Sequence, residues 1–353
     1  MTNTIGMAAQ LASSIVKTGW YLGLNRLVER QSRVVPRGPD EPPRGPVPTR
    51  GALLTAARDL LLDDARAVRD GIWFGAESSP ADLIDHVQRL RQMMRALPDL
   101  NERRMSRRHD TVLEHVANHS ALPDYFVQDF HFQSGGHLSA ESARLYDIQV
   151  DTLFYGCVDA MRRVGLRPIA EHVRGRDQRS LQLTDVACGT GRFLREIRKA
   201  YPAMALTGLD LSPAYLAEAR RLLSNLRHVE LIEANAEMIP RATASQDIVT
   251  CIYLFHELPP NVRSTVAKEI ARILKPGGRL IFIDSLQLSD QPDWDGLLEM
   301  FPVHFHEPYY RHYLRDDLTS LFAEAGLSVA SSRLAFLSKM LVLARDAKSS
   351  GSP

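Results

Sequence analysis

This chain of 353 residues has few cysteines, no excess of one charge and no internal repeat. Cys157, Cys188 and Cys251 are widely spaced and form no CxxC pair, which argues against a disulfide framework and against a cysteine-based zinc site. The formal net charge is +1, so no overall field attracts the chain to nucleic acid. We therefore expect a globular protein of the reducing cytoplasm that has no nucleic acid partner.

A long apolar run is also missing. Residues 5–25 carry only one charge, Lys17, but they contain too many Ser, Thr, Asn, Gln and Gly residues for a membrane span. They also lack a clear signal-peptide pattern. Two interpretations remain for the apolar helix predicted over residues 1–32. Either it packs on the body of the protein, or residues 1–27 contact a membrane surface as an interfacial helix.

Composition divides the chain that follows. Residues 33–50 contain six prolines without apolar periodicity, which predicts an extended linker or a strap on the surface. Residues 51–166 carry apolar residues at helical spacing and are predicted to form a helical cap region. Within this region, one helix is expected to run unbroken from Ser139 to Gly165.

Residues 167–347 have a different texture, in which short apolar runs alternate with helical patterns. This alternation predicts a mainly parallel, Rossmann-like sheet with helices on both faces. Five strands are expected, over Gln182–Ala187, Ala205–Asp210, Val229–Glu233, Asp247–Tyr253 and Arg279–Asp284. The runs Leu327–Ser332 and Phe336–Ala344 predict a closing antiparallel hairpin, which makes a sheet of seven strands. Residues 348–353 are predicted to be a disordered tail.

A glycine-rich turn follows the first predicted strand. The sequence from Asp185 to Gly191 (DVACGTG) leads directly into a helix, and its small residues allow a sharp turn and a close approach of the backbone to a ligand. The second strand ends at Asp210, about 20 residues further on, where a carboxylate can accept hydrogen bonds from both hydroxyls of a ribose. Turn and acid together also fit a dinucleotide cofactor.

Three further motifs follow in order. The third strand leads into a loop that contains Asn235, whose side-chain oxygen can accept from an adenine amine. The fourth strand leads to His256 and Glu257, and the fifth follows a Pro-Gly-Gly turn at residues 276–278. This ordered set resembles the class I S-adenosylmethionine-dependent methyltransferases, and within them the ubiquinone/menaquinone-biosynthesis-like branch (methyltransferase type 11). The resemblance covers roughly residues 145–345.

The resemblance implies that S-adenosyl-L-methionine is the cofactor. The residues that it implies for cofactor binding are Asp185, Ala187, Cys188, Gly189, Gly191, Asp210, Leu211, Asn235, Ala236 and Tyr253. Asp210 would bind the ribose hydroxyls, and Asn235 with Ala236 would contact the adenine. Ala187 departs from the family pattern, since a glycine often stands at this position, but alanine is small enough to keep the turn.

The methyl acceptor is expected beside the ends of the fourth and fifth strands. His256 is the first candidate for a general base, because the reference pKa of histidine lies near the operating pH. The alternative is that His256 only orients its loop. The catalytic candidates are His256, Glu257, His304 and His306. The predicted acceptor pocket consists of Phe132, Tyr146, Phe255, Glu307, Tyr309 and Tyr310. The aromatic loop over residues 126–137 is a candidate lid.

Histidines and a glutamate in the segment after the fifth strand also have the side chains of metal ligands: His304, His306, Glu307 and His312. Aromatic residues alternate with them, so pocket lining is preferred and no metal site is predicted. We expect methyl transfer to carbon or oxygen of a small apolar acceptor, such as a quinone precursor, a prenyl lipid or a polyketide-like phenol. The alternatives are an N- or O-methyltransferase of a polar small molecule and a non-catalytic S-adenosylmethionine-binding scaffold subunit.

Overall fold

Helices form the first part of the protein. The computed structural model describes residues 3–32, 43–75, 80–106, 122–128, 130–132 and 135–345. Before the sheet, these residues form α1 (Thr4–Ser32), α2 (Arg50–Arg69), α3 (Pro80–Ser106), α4 (Ala140–Leu153), α5 (Val158–Arg163) and α6 (Leu166–Val173). The predicted tail at 348–353 and the first ten residues of the proline-rich segment lie outside the described residues.

A seven-stranded sheet follows, with the spatial order β3-β2-β1-β4-β5-β7-β6. Its strands are β1 (Gln182–Val186), β2 (Ala205–Asp210), β3 (Glu230–Glu233), β4 (Gln246–Ile252), β5 (Leu274–Ser285), β6 (Leu327–Ala335) and β7 (Ser338–Arg345). The first five are parallel, and β7 is antiparallel to both β5 and β6. The predicted Rossmann-like fold with a closing hairpin is therefore confirmed.

Helices cover both faces of the sheet. They are α7 (Arg192–Ala200), α8 (Pro213–Leu223), α9 (Pro260–Ile273), α10 (Asp295–His304), α11 (Tyr310–Tyr313) and α12 (Leu318–Glu324). Alternate residues of β5 enter two different cores: Ile281 packs with α6 and α7, and Phe282 packs with α9 and α12. Burial on both faces explains why the strands are continuous apolar runs in the sequence.

The prediction of one helix from Ser139 to Gly165 is wrong. The chain leaves the helix after Leu153, and Tyr155 and Gly156 take positive φ angles of 54° and 75°. The Gly156 N–H donates to the Asp151 carbonyl at 2.7 Å, which closes the break. Neither proline nor an apolar gap marks this turn, so helical periodicity alone could not find it.

Helix α1 packs on the body of the protein through polar contacts. Lys17 lies 3.1 Å from Asp151 of α4 and 2.9 Å from Asp159 of α5. Asp159 also accepts two hydrogen bonds from Arg192, the first residue of α7, at 3.1 and 2.9 Å. Burial alone would raise the pKa of Asp159, but the charges of Arg192 and Lys17 hold it well below its usual range. One carboxylate thus joins three helices.

The end of the proline-rich segment acts as a strap. The backbone N–H groups of Arg44 and Gly45 donate to the Glu299 carboxylate, and Gly296 N–H donates to the Pro46 carbonyl. Both partners belong to α10, which follows β5 in the chain. Thr49 then caps α2 by accepting a hydrogen bond from Ala52 N–H at 3.1 Å.

Among the described helices, none combines the length and the apolar character that crossing a membrane requires.

We predict that Asp159→Asn lowers the free energy of unfolding by about 1–3 kcal/mol, because Arg192 and Lys17 lose a partly buried charged partner. Urea denaturation measures this change. The control is Asp59→Asn, whose partner Arg58 lies on the surface, with both side chains more than half exposed; its effect should stay below about 0.5 kcal/mol. Equal effects of the two substitutions would contradict the role of Asp159.

Candidate functional site

The carboxyl ends of the parallel strands open into a cleft of about 1070 Å³, measured out to its mouth. Open parallel sheets bind their ligands at this edge. The floor of the cleft comes from the loops that follow β1, β2, β3 and β4. The opposite wall comes from Tyr125, Phe126, Phe130 and His137 and from two residues of the helical region, Tyr146 and Arg162.

The glycine-rich turn has the sharp geometry that its sequence predicts. Ala187 and Gly189 have φ angles of 58° and 54°, and both line the cleft. A Cβ on Gly189 would meet only Tyr215, at 3.9 Å, so its small size keeps space open on the ligand side. Gly191 differs, because it is absent from the cleft lining of the described residues and a Cβ there would lie 3.1 Å from the Ala219 Cβ. The prediction that Gly191 contacts the ligand is therefore corrected: it allows α7 to pack on α8.

Asp210 faces the cleft at the end of β2. Its Oδ2 accepts from Gly189 N–H and its Oδ1 from Ser212 N–H, both at 2.8 Å. Burial raises the pKa of Asp210, and the two backbone donors oppose that shift. A carboxylate oxygen has two acceptor positions, so each oxygen keeps one for a hydroxyl in the cleft.

Asp185 lies at the end of β1 and is almost fully buried. Its Oδ1 accepts from the Thr250 hydroxyl at 2.5 Å, and burial raises the pKa of Asp185 to about 7. The side chain lines the cleft and also ties β1 to β4. Cys188, Leu211, Ala236 and Tyr253 line the cleft as well.

Asn235 is engaged within its own loop. Its side-chain oxygen accepts from Glu237 N–H at 2.9 Å, and its amide donates to Glu237 Oε1 at 3.1 Å. The Tyr125 hydroxyl, directly before the aromatic loop, donates to the same Glu237 oxygen at 2.7 Å and closes this end of the cleft. The Asn235 oxygen, predicted to accept from an adenine amine, thus already accepts a hydrogen bond within its own loop.

His137 and Glu257 face each other across the other end of the cleft. His137 Nε2 lies 3.2 Å from Glu257 Oε2. Burial alone would raise the pKa of Glu257, but His137 lowers it to about 2. Burial alone would lower the pKa of His137, but Glu257 raises it. Phe126 and Phe130 pack against the His137 ring, with centroids 6.0 and 4.8 Å apart. At this end of the cleft, aromatic rings therefore surround the charged pair of His137 and Glu257.

His256 lies behind Glu257 and is absent from the cleft lining of the described residues. Its Nδ1 is 2.6 Å from Asp284 Oδ1, and its Nε2 is 3.9 Å from Glu257 Oε1. Burial alone would lower the pKa of His256, but Asp284 raises it to about 9. The expectation that His256 itself meets the acceptor is not supported by this position.

The segment after β5 packs beside the cleft instead of lining it. Tyr310 is buried against His256, and its hydroxyl lies 2.6 Å from Ser285 Oγ. The Tyr309 hydroxyl accepts from Gln128 at 3.0 Å. Glu307 is buried, with His131 Nε2 at 2.9 Å from its Oε1. Tyr309, Tyr310 and Glu307 of the predicted acceptor pocket are absent from the cleft lining of the described residues. So is the catalytic candidate His306, whose backbone carbonyl accepts from the His131 backbone N–H.

Phe255 is also corrected. Its ring is fully buried between Phe282 and Phe322, with centroids 4.9 and 5.4 Å away, so it belongs to the core under α9. The side chains of Phe132 and His304 lie outside the described part of the chain. Of the predicted acceptor-pocket residues, Tyr146 lines the cleft, and of the catalytic candidates, Glu257 does.

Sequence reasoning missed Asp284, Arg162 and the role of His137. Asp284 could have been found, because it ends β5 directly beside the loop that carries His256. Arg162 is buried at 8% exposure and lies 5.9 Å over the Tyr253 ring, but no local pattern distinguishes it from the surface arginines. His137 meets Glu257 across 120 residues of sequence, a contact that only the tertiary fold creates.

Comparison with known proteins agrees with this geometry. Residues 183–278 match a family model described as a methyltransferase domain. The chain is 34% identical over 112 residues to the demethylmenaquinone methyltransferase of Lactococcus lactis, which covers 31% of this chain and 44% of the relative. It is 33% identical over 133 residues to the demethylmenaquinone methyltransferase of Listeria welshimeri, and the match covers 37% of this chain and 54% of the relative. The chain thus spans about half the length of these relatives.

Residues 183–278 thus form a domain that is similar to the class I S-adenosylmethionine-dependent methyltransferases. A solved S-adenosylmethionine-dependent methyltransferase from Aquifex aeolicus is 18% identical, over 53% of this chain and 95% of its own, with a TM-score of 0.39. S-adenosylmethionine is the cofactor of the family. The cleft fits it, since Asp210 keeps two acceptor positions for ribose hydroxyls and Gly189 leaves room beside them.

We predict that Asp210→Asn weakens binding of S-adenosylhomocysteine by at least about tenfold, because one acceptor oxygen is replaced by an amide that cannot accept. Isothermal titration calorimetry measures the affinity. Glu233→Gln is the matched control, since this carboxylate ends the neighbouring strand β3 but is exposed. An unchanged affinity of the Asp210 variant would refute the assignment of the ribose site.

Proposed function

We propose that this methyltransferase transfers the methyl group of S-adenosylmethionine to oxygen or carbon of a planar, largely apolar acceptor of the phenol or quinone type. The observation that carries this proposal is a shared cleft. Asp210 and the glycine turn line one end of it, and the His137–Glu257 pair lines the other among aromatic rings. The demethylmenaquinone methyltransferases among the relatives support the acceptor class.

On the cofactor side, we propose that Asp210 binds the ribose and that Asp185, Ala187 and Gly189 border the methionine moiety. Arg162 is our candidate for the methionine carboxylate, because it lines the cleft and shares its partner Asp159 with Arg192. A buried guanidinium matches a carboxylate in both charge and geometry. When bound, the cofactor supplies an electrophilic methyl group on a sulfonium.

On the acceptor side, the residues of the chain must orient the acceptor, exclude water and remove a proton. Phe126, Phe130 and Leu258 provide apolar walls for a planar ring. We propose that His137 in its neutral form takes the proton of the acceptor, and that Glu257 orients the ring and stabilises the imidazolium that forms. His256 and Asp284 are positioning residues, since they lie behind Glu257 and fix its loop.

The aromatic walls favour this acceptor over a polar small molecule, which would leave its hydrogen-bonding groups unpaired there. The charged pair in the cleft favours an enzyme over a non-catalytic scaffold. The direct test is an assay with labelled S-adenosylmethionine and a panel of hydroquinones, phenols and polar amines. Label transfer to the hydroquinones or phenols supports the proposal, whereas transfer only to amines, or to none of them, overturns it.

We predict that His137→Gln lowers the turnover number by about 10²–10⁴-fold, the usual contribution of a general base, while the affinity for S-adenosylhomocysteine stays within about twofold. Single-turnover kinetics and calorimetry measure the two quantities. His228→Gln is the control, because His228 is exposed and remote from the cleft. Full turnover in the His137 variant would remove this residue from the mechanism.

We also propose that α1 contacts a membrane surface. One face of α1 packs on the body, whereas Ile5, Val16, Trp20 and Leu27 are exposed on its other face. Trp20 touches His86 of α3, whose neighbours Leu83 and Ile84 are exposed too. Arg26 and Arg30 of α1 are exposed near Leu27 in the sequence, and Arg91 and Arg95 of α3 are exposed as well. Within the described residues no ion pair includes them, so they remain available to anionic headgroups.

We predict that the double substitution Val16→Glu and Trp20→Glu abolishes cosedimentation with vesicles of phosphatidylcholine and phosphatidylglycerol, because it places charge on the apolar face of α1. The control Leu334→Glu, an exposed position on β6, should cosediment like the unmodified chain. If the unmodified chain does not bind the vesicles, the membrane proposal is wrong.

A further inference from the structure

Three potential metal ligands converge beside the cleft from three separate segments. His131 belongs to the aromatic loop before α4, Glu257 to the loop after β4, and Glu307 to the segment between α10 and α11. One ligand atom from each side chain lies within 4.8 Å of those of the other two. The cluster therefore connects all the segments that surround the proposed acceptor end of the cleft.

Glu307 provides the second observation. Its side chain is fully buried, yet neither carboxylate oxygen accepts a hydrogen bond from any described residue. Its nearest polar neighbour is His131 Nε2, 2.9 Å from Oε1 but not aligned as a hydrogen bond. A buried carboxylate without donors is costly, and a bound cation is a common solution in proteins.

The other two ligands are held in place by their surroundings. The His131 ring packs edge-on against Phe301 and Phe305, and the backbone N–H of His131 donates to the His306 carbonyl at 3.3 Å. Glu257 directs Oε2 at His137, and its Oε1 is 3.9 Å from the nearest nitrogen of His256, which is beyond hydrogen-bond distance. That oxygen is free to coordinate an ion.

We propose that His131, Glu257 and Glu307 bind one divalent transition-metal ion, such as Zn²⁺ or Mn²⁺. One imidazole nitrogen and two carboxylate oxygens form a donor set that suits both ions. Bonds of about 2.0–2.2 Å place coordinating atoms roughly 3–4.4 Å apart, so the observed separations need only small side-chain movements. Three protein ligands leave coordination positions open. Because Glu257 lines the cleft, we expect these positions to face the cleft.

The ion would join the aromatic loop to the segment after β5 and neutralise the buried carboxylate of Glu307 and the partly buried one of Glu257. Its open positions would lie where an acceptor oxygen of the proposed reaction binds, and that role rests on the proposed function. Metal binding itself does not, because it requires neither the cofactor nor the acceptor. The competing account is a simple ion pair between His131 and Glu307, which needs no metal.

The test is equilibrium dialysis of the full chain against Zn²⁺ or Mn²⁺ alone, with bound metal counted by elemental analysis and Mn²⁺ also by electron paramagnetic resonance. We expect one equivalent to bind, and we expect Glu307→Gln and His131→Asn each to weaken binding by at least about tenfold. Asparagine suits the positive φ of 56° at position 131, so this variant removes the imidazole without straining the backbone.

The matched controls are Glu324→Gln and His312→Gln, which remove a carboxylate and an imidazole outside the cluster. Both should bind metal like the unmodified chain, and the ion should raise the thermal midpoint only where it binds. Absence of saturable binding, or equal binding by the folded Glu307 and His131 variants, overturns the proposal. A chain that binds metal but transfers no methyl group refutes only the proposed function.

Discussion

The carboxylate of Asp159 fastens the helical region to the cofactor turn. It pairs with Lys17 of α1 and with Arg192, which directly follows the glycine turn. The Thr190 hydroxyl of the same turn donates to Asp147 of α4 at 3.0 Å. These contacts lie in a partly buried region where the attraction between charges is weakly screened. The glycine turn and the added helices therefore cannot move independently, and the shape of the cleft depends on both.

This coupling explains how one cleft is assembled from two parts of the chain. The matched methyltransferase domain, residues 183–278, supplies the turn, Asp210 and Glu257. His137, Tyr146 and Arg162 come from the preceding region, outside that domain. We infer that the cofactor end follows the common pattern of the family, while the added helices determine which acceptor fits.

Local patterns predicted the sheet and the cofactor end of the cleft from sequence. The strands are buried on both faces and are therefore continuous apolar runs, and the turn needs residues tolerant of positive φ, such as Gly189. The acceptor end could not be predicted in this way. His137 meets Glu257 only after folding, and Phe255 is core because α12 brings Phe322 against it. Sequence neighbours alone specify neither contact.

The strap has a consequence for biosynthesis. Arg44 finds its partner Glu299 at a separation of 255 residues, and Lys17 binds carboxylates more than 130 residues away. These partners leave the ribosome long after α1 and the strap have emerged, so the buried face of α1 stays exposed in the meantime. Closing such long loops is slow. Until these partners are synthesised, the nascent chain exposes surface that the folded protein buries.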